Sequence, residues 1–384
     1  MRGPPALGVV RAQALPLTRS SVQKWSPRMP AVQLLSPEGE LVENPDYALT
    51  LSGTELCGLY RDMAITRRLD TEGTTLQRQG ELALWAPLLG QEAAQIGSGR
   101  AARPDDHVFP CYREHGVAWT RGVDALTLMG LYRGVKHGAW DPQEHHFHLY
   151  TLVIGPPLLH AVGYAMATAR RPGDSAVLSY FGDGASSQGD VAEAFTYASV
   201  NRAPIVFFCQ NNQWAISTPV SRQSRAPLYR RADGWGFPGV QVDGNDVLAC
   251  LAVTRSALDA ARSGEGPSLI EALTYRMAPH ATSDDPTRYR DTEEVRAWEA
   301  KDPLRRLRAH LIAYGHAGPD FFTDLEAETE LMARRLREGV RAMPDPDPVD
   351  MFRHVYVDEH AQVGEERRMF EDLQNSFAQE ETVR

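Results

Sequence analysis

The stretch SYFGDGASSQGD at 179–190 places a carboxylate, Asp183, between two glycines, Gly182 and Gly184. Glycine has no side chain, so a backbone containing it can approach a phosphate closely. A carboxylate at that point would repel a bare phosphate unless a divalent cation lay between them. Mg²⁺ is commonly held by one or two protein oxygens together with substrate phosphates. We therefore predict that Asp183 is a metal ligand at a diphosphate site.

A second polar motif, CQNNQWAIS at 209–217, supplies another oxygen ligand in the side chain of Asn212. Each motif follows an apolar run, AVLSYF at 176–181 or APIVFFCQ at 203–210, and both runs are predicted strands. An amphipathic stretch between them predicts a helix, and strand, helix and strand in this order indicate a parallel βαβ unit. Ligands bind beyond the carboxyl ends of such strands, so Asp183 and Asn212 should face one crevice.

These motifs have two other interpretations. A dinucleotide-binding loop would read G-x-G-x-x-G, whereas here Ser187 replaces the third glycine and Asp183 intrudes. A nicotinamide-dependent oxidoreductase is therefore not favoured. DG and NN are also ordinary turn-forming pairs, which would explain either motif alone. Two such motifs at the ends of consecutive strands favour a binding site.

The composition excludes several classes of function. The chain has 384 residues and a formal net charge of −10, with no basic stripe, which argues against nucleic acid as a partner. It has no continuous apolar run of about eighteen residues, so no membrane span is expected. Its four cysteines form no CxxC pair, which suits a reducing compartment. The histidines of EHHFHLY at 144–150 lack zinc-site spacing, so we expect them in a loop or at a channel mouth.

The remaining pattern predicts an α/β protein with a parallel sheet flanked by helices and a helical C-terminal extension. Further helices are predicted at 54–71, 91–102, 291–311 and 323–343, and further strands at 239–242 and 268–275. We divide the chain into a flexible N-terminal leader or arm (1–45), an α/β domain with a helical C-terminal part (46–342), and a Pro/Asp linker with a C-terminal tail (343–384).

The N-terminal segment contains no acidic residue before Glu38 and several arginines. Such a composition is typical of a transit peptide, but also of a disordered leader or of sequence upstream of a later start at Met29. We expect a bacterial cytoplasmic protein, with the mitochondrial matrix as the alternative if the segment is a transit peptide.

Many ordered blocks of this sequence, spread over about residues 45–355, resemble one protein family. The blocks are RQGELALWAPLLGQEAAQIGS, FPCYREHG, FGDGASSQGD, FFCQNNQWAISTP, VDGNDV, LIEALTYRMAPHATSDDPTRYR and AKDPLRRLR. They are similar to the alpha subunit of the thiamine diphosphate-dependent decarboxylating component of 2-oxo acid dehydrogenase complexes, a family that includes branched-chain and pyruvate enzymes. The resemblance implies a thiamine diphosphate-binding fold and the cofactors thiamine diphosphate and Mg²⁺.

The resemblance also implies roles for individual residues. Mg²⁺ would be bound by the side chains of Asp183 and Asn212 and by the backbone carbonyl of Trp214. The implied cofactor-binding set is Tyr112, Arg113, Ile154, Asp183, Gly184, Ala185, Asn212, Arg276 and His280. Within it, Ile154 would be the apolar wedge that keeps the cofactor bent, and His280 would be a catalytic residue assisting acyl transfer.

The sequence departs from the mammalian branched-chain pattern at four places. The segment 150–156 lacks a serine–proline pair, which puts a potassium site in that loop in question. Gln210 stands where an arginine can contact the diphosphate, which removes one positive charge. Trp214 replaces a tyrosine, although a backbone ligand would be unaffected. Ala281 occupies the place of a serine whose phosphorylation inactivates the mammalian enzyme, so that switch cannot operate here.

The implied reaction is oxidative decarboxylation of a 2-oxo acid with reductive acylation of the lipoyl group of an acyltransferase partner. The sequence provides no second parallel α/β unit, so we expect a beta subunit as partner, in a heterotetramer of two alpha and two beta chains.

We expect branched-chain 2-oxo acids of the 3-methyl-2-oxobutanoate type as substrates, because Leu84 would leave room where a bulky aromatic residue sits in mammalian enzymes. A pyruvate dehydrogenase alpha subunit is the alternative. A non-catalytic, diphosphate-binding regulatory subunit is a more remote one.

Overall fold

The central element of the fold is a parallel sheet. The computed structural model describes residues 31–135 and 140–382. Its strands are β1 (His107–Phe109), β2 (Val177–Gly182), β3 (Ile205–Asn211), β4 (Trp214–Ala215), β5 (Thr218–Pro219), β6 (Gly239–Asp243) and β7 (Ser268–Leu273). Five of them form the sheet in the order β1-β2-β3-β7-β6, and every pairing in it is parallel. β4 and β5 form a separate antiparallel hairpin.

Helices cover both faces of this sheet. They are α1 (Gly53–Arg78), α2 (Glu92–Ala101), α3 (His115–Thr120), α4 (Ala125–Arg133), α5 (Pro142–His145), α6 (Pro156–Thr168), α7 (Gly189–Asn201), α8 (Val220–Gln223), α9 (Arg231–Trp235), α10 (Val247–Arg262), α11 (Thr292–Glu299), α12 (Pro303–Ala313), α13 (Pro319–Ala342) and α14 (Ala361–Thr382). Alternate residues of β2 face different cores: Leu178 and Tyr180 pack with α1, α2 and α10, whereas Val177 and Phe181 pack with α6 and α7. Burial on both faces explains the near-continuous apolar strands.

The predicted fold class, an α/β protein with a parallel sheet between helices and a helical C-terminal region, is confirmed. The predicted strands at 176–181 and 203–210 correspond to β2 and β3 within two residues at each end. The single helix predicted at 291–311 is wrong: the chain forms α11 and α12 with a break between them. Pro303 has no N–H for a continuing helix, and the carboxylate of Asp302 caps α12 by accepting from the Arg305 N–H at 3.0 Å.

The described part of the predicted N-terminal arm lies against the edge of the sheet. Val32 forms a parallel bridge with Val242 of β6. The backbone N–H groups of Leu34 and Leu35 donate to one carboxylate oxygen of Asp246 at 2.7 and 2.6 Å, and Leu35 is fully buried. Residues 1–30, on which the transit-peptide alternative depends, lie outside the described residues. The three-part division at residues 45 and 342 stays a prediction.

The chain beyond α13 runs through a proline-rich stretch into α14. Pro344, Pro346 and Pro348 separate the two helices, because proline cannot continue a helix. Across the described ranges, no helix has the length and apolar character needed to cross a membrane.

Candidate active site at the strand ends

The carboxyl ends of β1, β2 and β3 open into one cavity of about 630 Å³. Most of the residues predicted for the site line it, namely Tyr112, Arg113, Ile154, Asp183, Gly184, Ala185, Asn212, Trp214 and His280. Arg276 lies behind this lining and reaches it through hydrogen bonds. The parallel topology therefore brings together side chains that are separated by up to 168 positions, from Tyr112 to His280 (280 − 112 = 168).

Asp183 directly follows β2 and its side chain is almost fully buried, with 1% of its surface exposed. Burial raises the pKa of its carboxyl to about 6, which outweighs the hydrogen bond from Gln223 and the charge of Arg276. Gln223 Nε2 donates to Asp183 Oδ2 at 3.0 Å. Removing a carboxylate from water is costly unless a cation or several donors compensate it. The position therefore suits a carboxylate that binds a cation.

Gly184, which follows Asp183, is held close to the β4–β5 hairpin. A Cβ atom added at Gly184 would lie 2.8 Å from the Cβ of Ala215, closer than side-chain carbons approach one another. Glycine is thus required for this contact, and both Gly184 and Ala185 line the cavity. The geometry agrees with a turn that a ligand phosphate could approach.

Asn212 follows β3, and the turn after it fixes the carbonyl of Trp214. Asn212 Oδ1 accepts from the Trp214 N–H at 3.2 Å, and Asn212 Nδ2 donates to Gln91 Oε1 at 3.1 Å. The flanking residues Gln213 and Ile216 have φ angles of 71° and 54°, in the left-handed region that non-glycine residues rarely adopt. Such strain is concentrated at functional sites, where the surrounding structure maintains it.

The Trp214 carbonyl oxygen already accepts one hydrogen bond, from Arg276 Nη1 at 3.0 Å. A carbonyl oxygen has two lone pairs, so one remains for a second partner. Arg276 also donates from Nη2 to the Ile216 carbonyl at 2.7 Å and to the Tyr289 hydroxyl at 3.0 Å. Its contacts hold the loop that carries Trp214.

His280 lies between two guanidinium groups. Its Nδ1 is 3.4 Å from Arg113 Nη2 and 3.2 Å from Arg276 Nη1. Arginine can only donate, so Nδ1 is an acceptor and the proton of the neutral ring is on Nε2. Burial, followed by the charges of Arg113 and Arg276, lowers the pKa of His280 to about 4. The ring is therefore neutral at physiological pH and carries one N–H group.

Arg113 connects three segments around the cavity. It donates to the carbonyls of Pro87 and, at 2.9 Å, His280, and its guanidinium carbon lies 5.3 Å from the centre of the Tyr112 ring. The side chain is 6% exposed. Arg113 therefore contributes a fixed positive charge to the cavity and also anchors the loop after β7.

Sequence reasoning missed a buried network beneath Arg113. Glu114 Oε2 accepts from the N–H groups of Cys111 at 2.8 Å and Arg113 at 3.2 Å, and its Oε1 accepts from Gln210 Nε2 at 2.6 Å. Gln95 Nε2 donates to Gln210 Oε1 at 3.1 Å. Glu114 could have been identified from the sequence, because it is an acidic residue directly after Arg113, a predicted cofactor ligand, in the block FPCYREHG. The family resemblance had singled out Gln210 as the residue at a diphosphate-contacting position, and it does line the cavity, but nothing in the sequence pointed to its contacts with Gln95 and Glu114.

Ile154 lies in the loop before α6, at the cavity mouth, and packs partly against the core between the sheet and α6. The two preceding residues are more exposed, Leu152 at 69% and Val153 at 59%. The structure therefore gives the loop a partly uncovered apolar surface beside the cavity.

Two histidines of EHHFHLY, His146 and His148, form an aromatic cluster with β1 and α6, whereas His145 Nδ1 lies 3.2 Å from the Arg121 carbonyl oxygen. His146 stacks on His107 with ring centres 4.3 Å apart, and His148 stacks on Phe109 at 3.7 Å. His107 Nε2 lies 3.0 Å from the hydroxyl of Tyr164. These contacts are those of packed rings in a loop.

Protonation of His148 should reduce the stability of the folded chain as the pH falls from about 6.5 to about 4. Burial, then the nearby His146 and His160, lowers its pKa from 6.5 to about 4. A folded pKa below the unfolded value favours the neutral folded form, so this stability is present above pH 6.5 and is lost on acidification through pH 4. In His148→Phe, the acid-induced decrease in the free energy of unfolding should be smaller by about 1–3 kcal/mol.

Urea denaturation at pH 7.5 and pH 4.5 measures this difference. The exposed His354 gives the control variant His354→Phe, which should behave as the wild type. An equal acid-induced decrease in His148→Phe and wild type would contradict the assignment.

Comparison with known proteins gives a consistent relationship. A family model described as the dehydrogenase E1 component matches residues 60–341. The alpha subunit of 3-methyl-2-oxobutanoate dehydrogenase from Mycobacterium tuberculosis is 45% identical over 341 residues, which cover 88% of this chain and 93% of the relative. The pyruvate dehydrogenase E1 component alpha subunit of Staphylococcus aureus is 41% identical over 282 residues, covering 73% and 76%. The corresponding Staphylococcus epidermidis subunit is 38% identical over 318 residues, covering 82% and 84%.

Proposed function

The chain belongs to the dehydrogenase E1 component family, and we propose that within it the chain is the alpha subunit of a 3-methyl-2-oxobutanoate dehydrogenase. The reaction is oxidative decarboxylation of branched-chain 2-oxo acids with reductive acylation of the lipoyl group of an acyltransferase. The observation that carries the substrate assignment is the similarity to the Mycobacterium tuberculosis subunit, which has higher identity and covers more of both chains than that to the Staphylococcus aureus pyruvate enzyme.

The residues of the cavity fit Mg²⁺ and thiamine diphosphate. Asp183 is a buried carboxylate with one side-chain hydrogen-bond donor among the described residues, and the Trp214 carbonyl has a lone pair to spare. We assign Asp183, Asn212 and the Trp214 carbonyl to Mg²⁺. The backbone of Gly184 and Ala185 is assigned to the diphosphate. When bound, thiamine diphosphate supplies the electron sink for the loss of carbon dioxide.

The side chains around the cavity have separate tasks in this proposal. Arg113 holds diphosphate oxygens together with Tyr112, because a guanidinium group can bind two oxygens at once. Arg276 fixes the Trp214 carbonyl and shares His280 with Arg113. Ile154 shapes the apolar side of the cavity, where Leu84 and other apolar groups also lie. An apolar surrounding disfavours a charged carboxylate and therefore favours its loss as carbon dioxide.

His280 is assigned the catalytic role of donating a hydrogen bond from the Nε2–H group of its neutral ring to negative charge that develops during acyl transfer to the lipoyl group. In His280→Asn, the amide oxygen can still accept from Arg113 and Arg276, but the Nε2–H group is lost. Reductive acylation of a lipoyl domain should fall by about 10²-fold or more, because removing one hydrogen-bond donor to developing charge costs about 10²–10³-fold.

The matched measurement is the dissociation constant of thiamine diphosphate, which should change much less than the rate of acylation in His280→Asn, because Tyr112, Arg113 and the backbone of Gly184 and Ala185 still hold the diphosphate in this proposal. His354→Asn, at an exposed histidine, is the control. Full reductive acylation in the variant with normal cofactor binding would rule out the catalytic role.

The chain's partners in this proposal are a beta subunit and the lipoyl-bearing acyltransferase. The described residues contain one parallel sheet, and the proposed diphosphate and metal site lies at its strand ends. A beta subunit would bind the other half of the cofactor, in a heterotetramer of two alpha and two beta chains. The relatives reported above come from bacteria, which favours the cytoplasm as the location.

The substrate assignment is tested with the chain co-purified with its beta subunit. We would measure kcat/KM for 3-methyl-2-oxobutanoate and for pyruvate with an artificial electron acceptor. At least a tenfold preference for the branched acid is expected, since 3-methyl-2-oxobutanoate has two more methyl groups than pyruvate and each is worth about 1–3 kcal/mol in an apolar pocket. A preference for pyruvate would instead favour the acetyl-transferring enzyme, the second candidate. Absence of turnover with either acid, with cofactor bound, would favour a non-catalytic subunit.

A further inference from the structure

Gln223 reaches the metal-binding loop from a distant part of the chain. It is the last residue of α8, and its Nε2 donates to Asp183 Oδ2 at 3.0 Å. Its Oε1 lies 3.5 Å from the hydroxyl of Ser187, in the same loop as Asp183. The side chain is half-buried. Gln223 is not among the site residues predicted from the sequence or from the family resemblance.

The hydrogen bond matters because little else orients the Asp183 carboxylate. Rotation of an aspartate carboxylate about its last bond is only weakly restrained. Among the described residues, Gln223 is the one side chain that donates to it. A donor on Oδ2 fixes this rotation and leaves Oδ1 available for a cation. Carboxylates that bind metals are typically oriented by such a second hydrogen bond, and its loss costs about 10–100-fold in metal affinity or activity.

Gln223 also closes a loop that contains another proposed ligand. The segment 213–223 comprises the β4–β5 hairpin and α8, with Trp214 at its start and Gln223 at its end. The Val220 N–H donates to the Gln213 carbonyl at 3.0 Å, which closes the hairpin. Ala215 packs against Gly184. One hairpin thus presents the Trp214 carbonyl at one end and the amide that holds Asp183 at the other.

We propose that Gln223 is a positioning residue that orients Asp183 for the divalent cation and couples cation binding to the ordering of the hairpin 213–223. The proposal rests on the proposed function, in which Asp183 and Trp214 bind Mg²⁺. Gln223 acts through Asp183 and contributes no bond to the reacting groups. Its effect should therefore appear in the Mg²⁺ dependence of the enzyme and not in its maximal rate.

The test uses the complete enzyme assembled with its beta subunit. Gln223→Met has a side chain of similar length without the donor, and Arg222→Met is the control at an exposed neighbour on α8. Mg²⁺ is titrated at saturating thiamine diphosphate, and cofactor binding is followed by quenching of tryptophan fluorescence. We expect the apparent Mg²⁺ dissociation constant to rise about 10–100-fold in Gln223→Met, with kcat at saturating Mg²⁺ within about threefold of wild type.

A second measurement addresses the coupling. In wild type and Arg222→Met, the hydrogen exchange of backbone amides 213–224 should slow when Mg²⁺ and cofactor are added. At a Mg²⁺ concentration that saturates the wild type, the same addition should slow this exchange less in Gln223→Met.

The outcomes separate this inference from the proposed function. If wild type shows no Mg²⁺-dependent cofactor binding, the proposed function itself is wrong. If the wild type shows Mg²⁺-dependent cofactor binding and Gln223→Met has the same apparent Mg²⁺ dissociation constant as the wild type, the positioning role is wrong. A fall in kcat that excess Mg²⁺ cannot restore would also overturn the proposal, because it would indicate general damage to the site.

Discussion

Replacing Asp183 with asparagine should abolish Mg²⁺-dependent binding of thiamine diphosphate while leaving the protein folded. Asparagine has the same size and can still accept from Gln223, but it has no negative charge for a divalent cation. Loss of a metal ion costs several kcal/mol of transition-state stabilisation. We expect kcat/KM for the 2-oxo acid to fall by at least about 10³-fold, which corresponds to about 4 kcal/mol.

The same substitution should stabilise the cofactor-free protein. The pKa of Asp183 is raised to about 6, above its unfolded value of 3.8, so the ionised carboxylate destabilises the folded state once the pH exceeds these values. At pH 7.5 the Asp183→Asn variant should therefore unfold at a higher urea concentration, with a gain of about 1–3 kcal/mol. The control Asp233→Asn, at an exposed position on α9, should change neither the Mg²⁺-dependent binding of thiamine diphosphate nor the stability in urea. Retained Mg²⁺-dependent binding would contradict the metal-ligand assignment.

Replacing Arg113 with lysine should cost about 10²–10³-fold in kcat/KM and weaken cofactor binding, although the charge is kept. The guanidinium bonds the carbonyls of Pro87 and His280 and contacts His280 Nδ1 at the same time. A lysine ammonium is a single point charge and cannot reproduce this fork, nor bind two diphosphate oxygens side by side. This decrease in kcat/KM corresponds to about 3–4 kcal/mol of lost transition-state stabilisation.

Arg121 supplies a matched control for this prediction. It also binds several backbone carbonyls, those of Arg103, Pro104, Asp106 and His145, but it is not among the residues that line the cavity. Arg121→Lys should lower stability without changing the dissociation constant of the cofactor. If the two variants had the same effect on cofactor affinity, Arg113 would be acting only as a loop anchor.

The core of the site could be predicted from the sequence because its signals are local. The apolar runs at 176–181 and 203–210 predict strands, the stretch between them predicts a helix, and parallel topology then brings Asp183 and Asn212 to one edge. The roles of Tyr112, Arg113 and His280 could not be obtained in this way. They came from the family resemblance, because their meeting depends on how the loops after β1 and β7 are packed.

Contacts between distant segments account for what was missed. Gln223 has no local pattern that points to Asp183, and the amide network from Gln95 through Gln210 to Glu114 joins three separate elements. The sheet-edge position of residues 32–35 depends on Asp246, more than two hundred residues away. The break between α11 and α12 was different, because the local sequence Asp302-Pro303 carried the signal.

The central claim is that the strand ends of this chain form a divalent-cation site for a diphosphate cofactor. Its most direct test is a crystal structure of the assembled alpha and beta subunits with thiamine diphosphate and Mn²⁺, which is detected by anomalous scattering. We predict one anomalous peak per alpha chain within about 2.3 Å of an Asp183 carboxylate oxygen, Asn212 Oδ1 and the Trp214 carbonyl oxygen, in contact with the diphosphate. A fully bound cofactor with the Mn²⁺ peak away from Asp183, or with no peak at the strand ends, would contradict the account.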